Sequence, residues 1–370
     1  MTKQFRPRDM DRRPRGSKRL LSGIAALGVV FGLAACGGGS GVDKASGGGS
    51  NGLPDQVRIY TCCVSGTEIP VWLAYDQGLF QKYGLKTAAL KLIPPPTGGS
   101  ALISGSVDIG NDSPSVAINA TASGNSQLEF VAGKTSRPVF RIMSNNLTDA
   151  SQIKGKRLGV SGQYAPPALA AYAYLKDKFG LVAGKDYTVV PSAQISDLVA
   201  SLSNNSIDAA VLSTPLNLQS EKKGAHQIAD LSGVVAEGNS YVVTTKSFAQ
   251  KYPAAVEDYL KAIIDAMHVA KTDKAAAIAS IVKHQTGITQ AQAEQVYNDY
   301  VNIFDPNMYA DALQTYVNFP STSQVAKVDV KPLMDTSFLE KLDKDGFLKS
   351  MGFTLNTSGV TPTTGAKAAQ

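Results

Sequence analysis

The sequence predicts an α/β protein with two similar lobes, because one stretch of the chain occurs twice. The first copy spans residues 102–110 (LISGSVDIG) and the second spans residues 202–210 (LSNNSIDAA). In each copy an apolar residue ends a helix, and Gly105 or Asn205 supplies the left-handed position that closes it. An Asp then leads into a short buried strand, which Ser-Pro or Thr-Pro ends. Ligands usually bind at such polar strand ends, so we expect a site shared by two sheets.

Length and charge limit the possible functions. A chain of 370 residues can hold two domains and bury ample core. The formal charge of +6 is misleading, because residues 1–35 contain eight Lys/Arg and two Asp/Glu. The rest of the chain holds 28 basic and 28 acidic residues. The basic character therefore belongs to a targeting segment, and no nucleic-acid partner is expected.

The N-terminal segment has the pattern of a bacterial lipoprotein signal, predicted at residues 1–35. A cluster of Lys/Arg at positions 12–19 precedes an apolar run at residues 20–33, which is short for a membrane span. The run ends in Leu-Ala-Ala-Cys, which resembles a lipobox. We therefore expect Cys36 to be lipidated and to anchor the mature protein at the membrane. An ordinary secretory signal with an incidental cysteine is the alternative.

Changes in composition predict the remaining boundaries. The predicted parts are residues 36–55, the lipidated cysteine and a flexible Gly/Ser tether; 56–146, the first part of lobe 1; 147–238, lobe 2; 239–355, a mostly helical return to lobe 1; and 356–370, a disordered tail.

In the first lobe, branched and apolar residues alternate in four segments. Strands are predicted at residues 57–61, 86–93, 128–132 and 139–143. The first helix is expected to have Thr67 as its N-cap and Pro70 in its first turn, and to stop at Gly84. It carries Trp72, the only tryptophan of the chain.

In the second lobe, strands and helices alternate again. Strands are predicted at residues 157–160, 187–190, 228–231 and 241–245, the last one returning to the first lobe. One helix is expected to open at Pro166 and close at Gly180, and another to run from Ser192. After Thr245 the chain is predicted to be helical, with a capping box at Thr289 and a last short helix at residues 338–348.

Four phrases occur in an order typical of one family. They are residues 69–85 (IPVWLAYDQGLFQKYGL), 104–110, 113–114 and 153–160 (IKGKRLGV). Together they resemble the solute-binding proteins of the alkanesulfonate, taurine, nitrate and thiamine-pyrimidine type. The resemblance covers roughly residues 56–345.

The resemblance implies a type II periplasmic-binding-protein fold, in which each lobe is a mixed sheet flanked by helices. The ligand would lie in the cleft between the lobes, which closes by hinge motion. It implies a monomeric, extracytoplasmic component of an ABC importer, which catalyses nothing and needs no cofactor or metal. Such a protein delivers its solute to a membrane permease and an ATPase subunit. Sulfonates, nitrate-like anions, aromatic acids and pyrimidine precursors are all candidate solutes.

Candidate ligand-binding residues are those predicted at strand ends that face the cleft. They are Cys62, Cys63, Ser65, Thr67, Asp112, Ser113, Thr135, Ser136 and Arg137 in the first lobe, and Ser161, Gln163, Tyr164, Ser213 and Thr214 in the second. Backbone N–H groups after Ser65 and Ser113 could hold an anion. Arg137 is either the partner of a sulfonate, carboxylate or phosphate, or a solvated loop residue.

Three acidic residues have alternative roles. Asp112 would disfavour a purely anionic ligand if it lined the cleft, or it could cap a helix. Asp108 and Asp208 are expected to be structural and to fix the turn into each strand.

The pair Cys62-Cys63 departs from the family pattern. The two thiols could form a strained vicinal disulfide, stay reduced and buried, or bind a metal. No His or further Cys lies nearby in the sequence to complete a metal site. Packing of two small apolar side chains under the first helix is the remaining interpretation.

An enzyme is not expected. His226, His268 and His284 are scattered, and no nucleophile elbow or metal-ligand spacing occurs. A thiamine-pyrimidine synthase uses the same fold with pyridoxal phosphate and consumes its own histidine, but no matching positions support that here. A lipoprotein sensor or interaction module is the other alternative.

Overall fold

The structure, a computed structural model, describes residues 53–94, 97–192, 195–232, 234, 240–319, 322–356 and 358. The predicted signal, Cys36, most of the predicted tether and most of the predicted tail lie outside these residues. Along the described ranges, no helix has both the length and the apolar character needed to cross a membrane.

Two five-stranded sheets form from the described residues. The strands are β1 (Ile59–Thr61), β2 (Lys91–Leu92), β3 (Ile109–Asp112), β4 (Leu128–Gly133), β5 (Arg141–Ser144), β6 (Arg157–Val160), β7 (Thr188–Pro191), β8 (Ala209–Leu212), β9 (His226–Asp230) and β10 (Tyr241–Thr245). The first sheet has the order β2-β1-β3-β10-β4 and the second has the order β7-β6-β8-β5-β9. The predicted two-lobed α/β fold is therefore confirmed.

The two sheets follow the same plan. In the first, β1 pairs in parallel with β2 and β3, and β10 is antiparallel to β3 and β4. In the second, β6 pairs in parallel with β7 and β8, and β5 is antiparallel to β8 and β9. The chain crosses between the lobes from β4 to β5 and again from β9 to β10. The predicted return of residues 241–245 to the first lobe is thus confirmed.

Helices flank both sheets. In chain order they are α1 (Ile69–Asp76), α2 (Leu79–Lys82), α3 (Thr97–Ile103), α4 (Ser115–Ala122), α5 (Pro166–Phe179), α6 (Ile195–Ser203), α7 (Leu216–Glu221), α8 (Lys246–Lys251), α9 (Pro253–Thr272), α10 (Lys274–His284), α11 (Gln290–Tyr300), α12 (Ala310–Asn318), α13 (Ser337–Lys344) and α14 (Phe347–Ser350). The predicted start at Pro166, the close at Gly180 and the capping box at Thr289 are confirmed.

The start of the first helix differs from the prediction. A short 3-10 helix, Gly66–Glu68, precedes α1, and its N-cap is Ser65 instead of Thr67. The Thr67 hydroxyl donates to Glu68 Oε1 at 3.1 Å. The predicted continuous helix is also divided into α1 and α2, because Gly78 adopts a left-handed φ of 66° between them. The start of the predicted α-helix is therefore a 3-10 helix, which is wound more tightly than an α-helix.

Both copies of the repeat end a helix in the same way. Gly105 has a φ of 68° and Asn205 has a φ of 60°, as predicted for left-handed closing positions. The N–H group of the next residue then bonds back to a carbonyl five residues earlier, at 3.0 Å in the first copy and 2.9 Å in the second. This is the Schellman pattern of helix termination.

Asp108 and Asp208 fix the start of the first parallel strand in each lobe. Asp108 accepts hydrogen bonds from the backbone N, Nε and Nη2 of Arg58 at 2.7, 2.9 and 2.5 Å. Asp208 accepts the same three groups of Arg157 at 2.8, 3.0 and 3.0 Å. The structural role predicted for both aspartates is confirmed.

The long helix α9 supports α1 and the 3-10 helix Gly66–Glu68 that precedes it. It packs against α1, α2 and α10, and its apolar face, which includes Leu260 and Met267, is fully buried. Burial of such a side chain stabilises the fold by roughly 1.5–3 kcal/mol. Because α9 holds α1 in place, the 3-10 turn at the start of α1 is positioned rigidly at the end of β1.

Candidate functional site

The candidate site is formed where strand ends of the two sheets approach each other. In the first sheet the chain leaves β1 at Cys62 and β3 at Ser113, and in the second it leaves β8 at Ser213. The carboxyl ends of parallel strands lie at the same edge of a sheet, where ligands bind in open α/β folds. We refer to the space between these ends as the cleft.

Tyr300, the last residue of α11, connects the two lobes in the cleft. Its hydroxyl lies 3.4 Å from Ser65 Oγ of the first lobe, and the side chain of Ser213 in the second lobe is near enough to oppose the rise in its pKa. Its ring covers the backbone of Gly66, where a Cβ atom would lie only 2.3 Å from Tyr300 Cδ2. The glycine is therefore required for this close approach. Burial raises the pKa of the Tyr300 phenol, so the group stays neutral and can both donate and accept.

An ion pair spans the cleft beside Tyr300. Arg141 on β5 of the second sheet donates to Asp299 on α11 through Nη1 at 3.0 Å and Nη2 at 3.1 Å. Helix α11 packs against the 3-10 helix Gly66–Glu68 of the first lobe. Thr214 and Gln295 also donate to the Asp299 carboxylate. This bidentate pair, with 16% and 7% of its side chains exposed, joins the lobes directly.

The first crossover holds two of the predicted residues by their backbone. The N–H of Ser136 donates to the carbonyl of Ile303 at 2.9 Å, and its Oγ also reaches that oxygen at 3.3 Å. Thr135 pairs with Phe304 in an isolated antiparallel bridge. Its buried Oγ1 has no hydrogen-bond partner among the described residues. The crossover is therefore anchored to the segment that follows α11.

A fully buried ion pair lies beneath the cleft. Lys134 Nζ is 2.8 Å from Glu68 Oε2, and neither side chain has any exposed area. Burial raises the pKa of Glu68, although Lys134 and Thr67 oppose the shift. Removing one partner of such a pair leaves an uncompensated buried charge, which is strongly destabilising. The pair therefore joins the 3-10 turn to the crossover.

Asp112, the last residue of β3, is buried. Its Oδ2 accepts from the Tyr60 hydroxyl at 2.9 Å, and its Oδ1 accepts from the Ser113 N–H at 2.7 Å. Burial raises the pKa of Asp112 to about 6, against the effect of these two hydrogen bonds. It does not cap α4, which has Pro114 as its N-cap and no side-chain cap. The predicted helix-cap role of Asp112 is therefore wrong, and its carboxylate joins β3 to β1; its role in ligand binding stays a prediction.

The two cysteines lie next to each other at the end of β1. Cys62 Sγ and Cys63 Sγ are 2.9 Å apart, with Cys62 buried and Cys63 half-buried. Both sulfurs and a carboxylate oxygen of Glu68 lie within 4.8 Å of one another. The cysteines therefore form an adjacent pair of thiols where the chain leaves β1.

Several of the predicted ligand-binding residues are exposed or make few side-chain contacts. Gln163 and Tyr164 are exposed, and Ser161 is half-buried. The Gln163 carbonyl accepts a hydrogen bond from the Tyr172 hydroxyl at 3.0 Å. Arg137 is half-buried and has no hydrogen bond or ion pair with any residue that the structure describes. Its guanidinium is thus available to a solute, whereas that of Arg141 is occupied.

The sequence analysis did not identify four residues that shape this region: Glu68, Arg141, Asp299 and Tyr300. Arg141 lies in a segment that was predicted only as a strand, and Tyr300 lies in a segment that was predicted only as helical. A signal was present, since charged residues rarely occupy buried positions without a partner. Pairing over 158 residues of chain, however, cannot be inferred from spacing.

The two-lobed fold is that of the periplasmic binding proteins. The alkanesulfonate-binding protein SsuA from Xanthomonas axonopodis pv. citri, bound to MOPS, superposes with a TM-score of 0.65 at 17% identity, covering 77% of this chain and 99% of that one. The periplasmic nitrate-binding protein NrtA from Synechocystis PCC 6803 has a TM-score of 0.66 at 14% identity, with coverages of 82% and 92%.

The family assignment comes from the sequence. The model of the NMT1-like family matches residues 64–284, and the chain belongs to this family. This confirms the resemblance found in the sequence. A 4-amino-5-hydroxymethyl-2-methylpyrimidine phosphate synthase from Schizosaccharomyces pombe is 26% identical over 145 residues, or 39% of this chain. The match spans only 40% of the length of that synthase.

Proposed function

We propose that this protein is the extracytoplasmic solute-binding component of an ABC importer, anchored by lipid at Cys36. It would capture a small solute between its lobes and deliver it to permease and ATPase subunits. The observation that carries the proposal is the position of Tyr300, whose hydroxyl contacts Ser65 of the first lobe and is influenced by Ser213 of the second. A polar site shared by two lobes changes shape when the lobes close, which gives a permease a way to sense occupancy.

The charges around the cleft favour a small anion. Arg137, half-buried on the crossover between β4 and β5, offers a guanidinium without a partner among the described residues. Burial raises the pKa of Asp112 to about 6, which reduces the negative charge that would oppose an anion near that pH. The relatives named for sulfonate and nitrate binding support the same class. Sulfonates and nitrate-like anions are therefore the first candidates, followed by aromatic acids.

A thermal-shift screen tests the proposal. The panel contains alkanesulfonates including MOPS, nitrate, aromatic carboxylates and pyrimidine precursors. Each compound is titrated against the part of the chain that follows the predicted tether. Ligand present at about 100 times its dissociation constant should stabilise the folded state by about 2.7 kcal/mol. Fluorescence of Trp72, which stacks on His284 in the first lobe, gives a second readout.

The Arg137→Gln variant sharpens this test. It should lose most of the shift with anions because no other unpaired guanidinium lies on the crossover. Lys223→Gln, which removes an exposed positive charge beside α7, is the matched control and should respond like the parent. Transport would be contradicted if no compound of the panel shifts the melting temperature. Equal anion shifts in both variants would contradict the role of Arg137.

The match with the pyrimidine phosphate synthase gives a second candidate, an enzyme of that type. Such a protein would bind pyridoxal phosphate and show its absorbance. Incubating the purified protein with pyridoxal phosphate and recording a difference spectrum after desalting distinguishes the two functions. We expect no retained cofactor, whereas stoichiometric retention would favour the enzyme.

A further inference from the structure

Cys62 and Cys63 form a pair of thiols whose geometry demands an explanation. Adjacent residues of an extended strand point to opposite faces, yet here both sulfurs lie on the same side, 2.9 Å apart. The strand β1 ends at Thr61, and the chain turns there toward the 3-10 helix. The N–H of Cys62 still bonds the Asn111 carbonyl at 3.0 Å, so the turn is held on the sheet. The sulfurs are closer than two non-bonded sulfur atoms normally pack.

A metal ion is a poor fit for this pair. Two thiolates on one tetrahedral zinc, each at about 2.3 Å, hold their sulfurs roughly 3.8 Å apart, well beyond the 2.9 Å found here. The third available donor, Glu68, already bonds Lys134 and Thr67. Lys134 would also bring a positive charge against the metal. The described residues supply no fourth donor to this group.

We propose that Cys62 and Cys63 are joined by a vicinal disulfide when the protein is outside the cytoplasm, and that this bond forms the floor of the cleft. The inference rests on the proposed function for the location, because disulfides persist in oxidising compartments. The distance between the two sulfurs in the structure is the geometric support for the bond. A bond of about 2.05 Å requires the sulfurs to approach by less than one ångström.

The reaction needs a disulfide oxidant, either a thiol–disulfide oxidoreductase or a small disulfide such as oxidised glutathione. The half-buried Cys63 thiolate attacks one sulfur of the oxidant, forms a mixed disulfide and releases the first thiol. Cys62 then loses its proton and attacks Cys63 Sγ, releasing the second thiol. The two cysteines lose two electrons and two protons, and the oxidant gains them.

The order of attack follows from the environment of each sulfur. The hydrogen bond with Cys63, together with burial, raises the pKa of the Cys62 thiol. Cys62 is therefore a poor first nucleophile, but it is already in place for the intramolecular step. The bond would remove two S–H groups next to Ser65 and Gly66, on which the Tyr300 ring rests. It would thus fix the backbone that leads into the cleft.

Alkylation followed by mass spectrometry tests the inference on the full chain exported by a bacterial host. Without reduction, the peptide that contains both cysteines should resist iodoacetamide and be lighter than the dithiol by two hydrogen atoms. After reduction it should take up two carbamidomethyl groups. Cys63→Ser is the control, since Cys62 alone should be alkylated only after unfolding.

Three outcomes would overturn the inference. The first is free alkylation of both thiols in the exported protein after exposure to oxidised glutathione. The second is a disulfide between two chains through Cys63. The third is protection of both thiols by one equivalent of Zn²⁺ in place of a disulfide.

The solute screen separates this inference from the proposed function. If the parent shifts with anions but forms no disulfide, only the inference fails. If the disulfide is present and no compound shifts the parent, the inference stands and the transport proposal fails.

Discussion

At the scale of single residues, two buried carboxyl groups make the stability of the protein depend on pH. Burial raises the pKa of Asp112 to about 6. Burial, together with the nearby Asp335, raises the pKa of Glu129 on β4 to about 7. In the unfolded chain both groups lose their protons near pH 4, so above that value the folded state binds more protons. The stability that these two groups contribute should therefore be fully present in acid and be lost as the pH rises to about 7.

Replacing Glu129 by Gln isolates its part of this dependence. The variant keeps the shape of the side chain but cannot ionise, so it avoids the cost of a buried negative charge beside Asp335. Its melting temperature should fall less than that of the parent between about pH 5 and pH 8. Differential scanning fluorimetry across this range measures the difference.

The exposed Glu294→Gln on α11 is the matched control, and its pH profile should follow the parent. If the Glu129→Gln profile runs parallel to the parent as well, Glu129 is ionised without cost and the explanation is wrong. Asp112 is present in all three proteins and does not affect the comparison.

Some of these residues could be predicted from the sequence and others could not. Asp108 and Asp208 were assigned correctly, because each lies in a repeated local pattern beside a strand. The pairing of Arg141 with Asp299 depends on how the two lobes meet, which no local pattern contains. Asp112 was placed in the cleft because it follows a strand, and only the position of Tyr60 shows that its carboxylate joins β3 to β1.

At the scale of elements, buried strands were predicted best. The bounds of β6 and β10 agree with the sequence pattern because both strands consist largely of buried apolar residues. The predicted strand at residues 86–93 was mostly wrong, since only Lys91–Leu92 is a strand and both residues are exposed. At the edge of a sheet, alternation of apolar and polar residues does not ensure pairing.

The two copies of the repeat allow a matched test of helix termination. Gly105 and Asn205 occupy the same left-handed position, and no atom lies within 4 Å of a Cβ placed on Gly105. Any cost of substitution there comes from the backbone conformation alone. Gly105→Ala should therefore destabilise the protein by roughly 1 kcal/mol.

Gly105→Asn should cost clearly less, because asparagine tolerates this conformation and already holds it in the second copy. Urea unfolding of the parent and both variants provides the measurement. Equal losses for alanine and asparagine would show that the left-handed conformation is not what limits the position.

At the scale of the whole molecule, the contacts across the cleft determine how far the lobes can separate. Arg141 and Asp299 form the charged part of this connection, and the hydroxyl of Tyr300 forms the neutral part. These contacts are made in the absence of any solute. The ion pair is thus expected to favour the closed arrangement.

Removing the Asp299 charge should open the molecule. Asp299→Asn weakens a bidentate pair that is mostly shielded from water, with an expected loss of about 2 kcal/mol. Small-angle scattering of the solute-free protein should show a larger radius of gyration than the parent. Asp208→Asn is the control, because it disrupts another bidentate Arg–Asp pair, which lies within one lobe. That variant should keep the radius of the parent, so identical radii in all three proteins would exclude the ion pair as a determinant of closure.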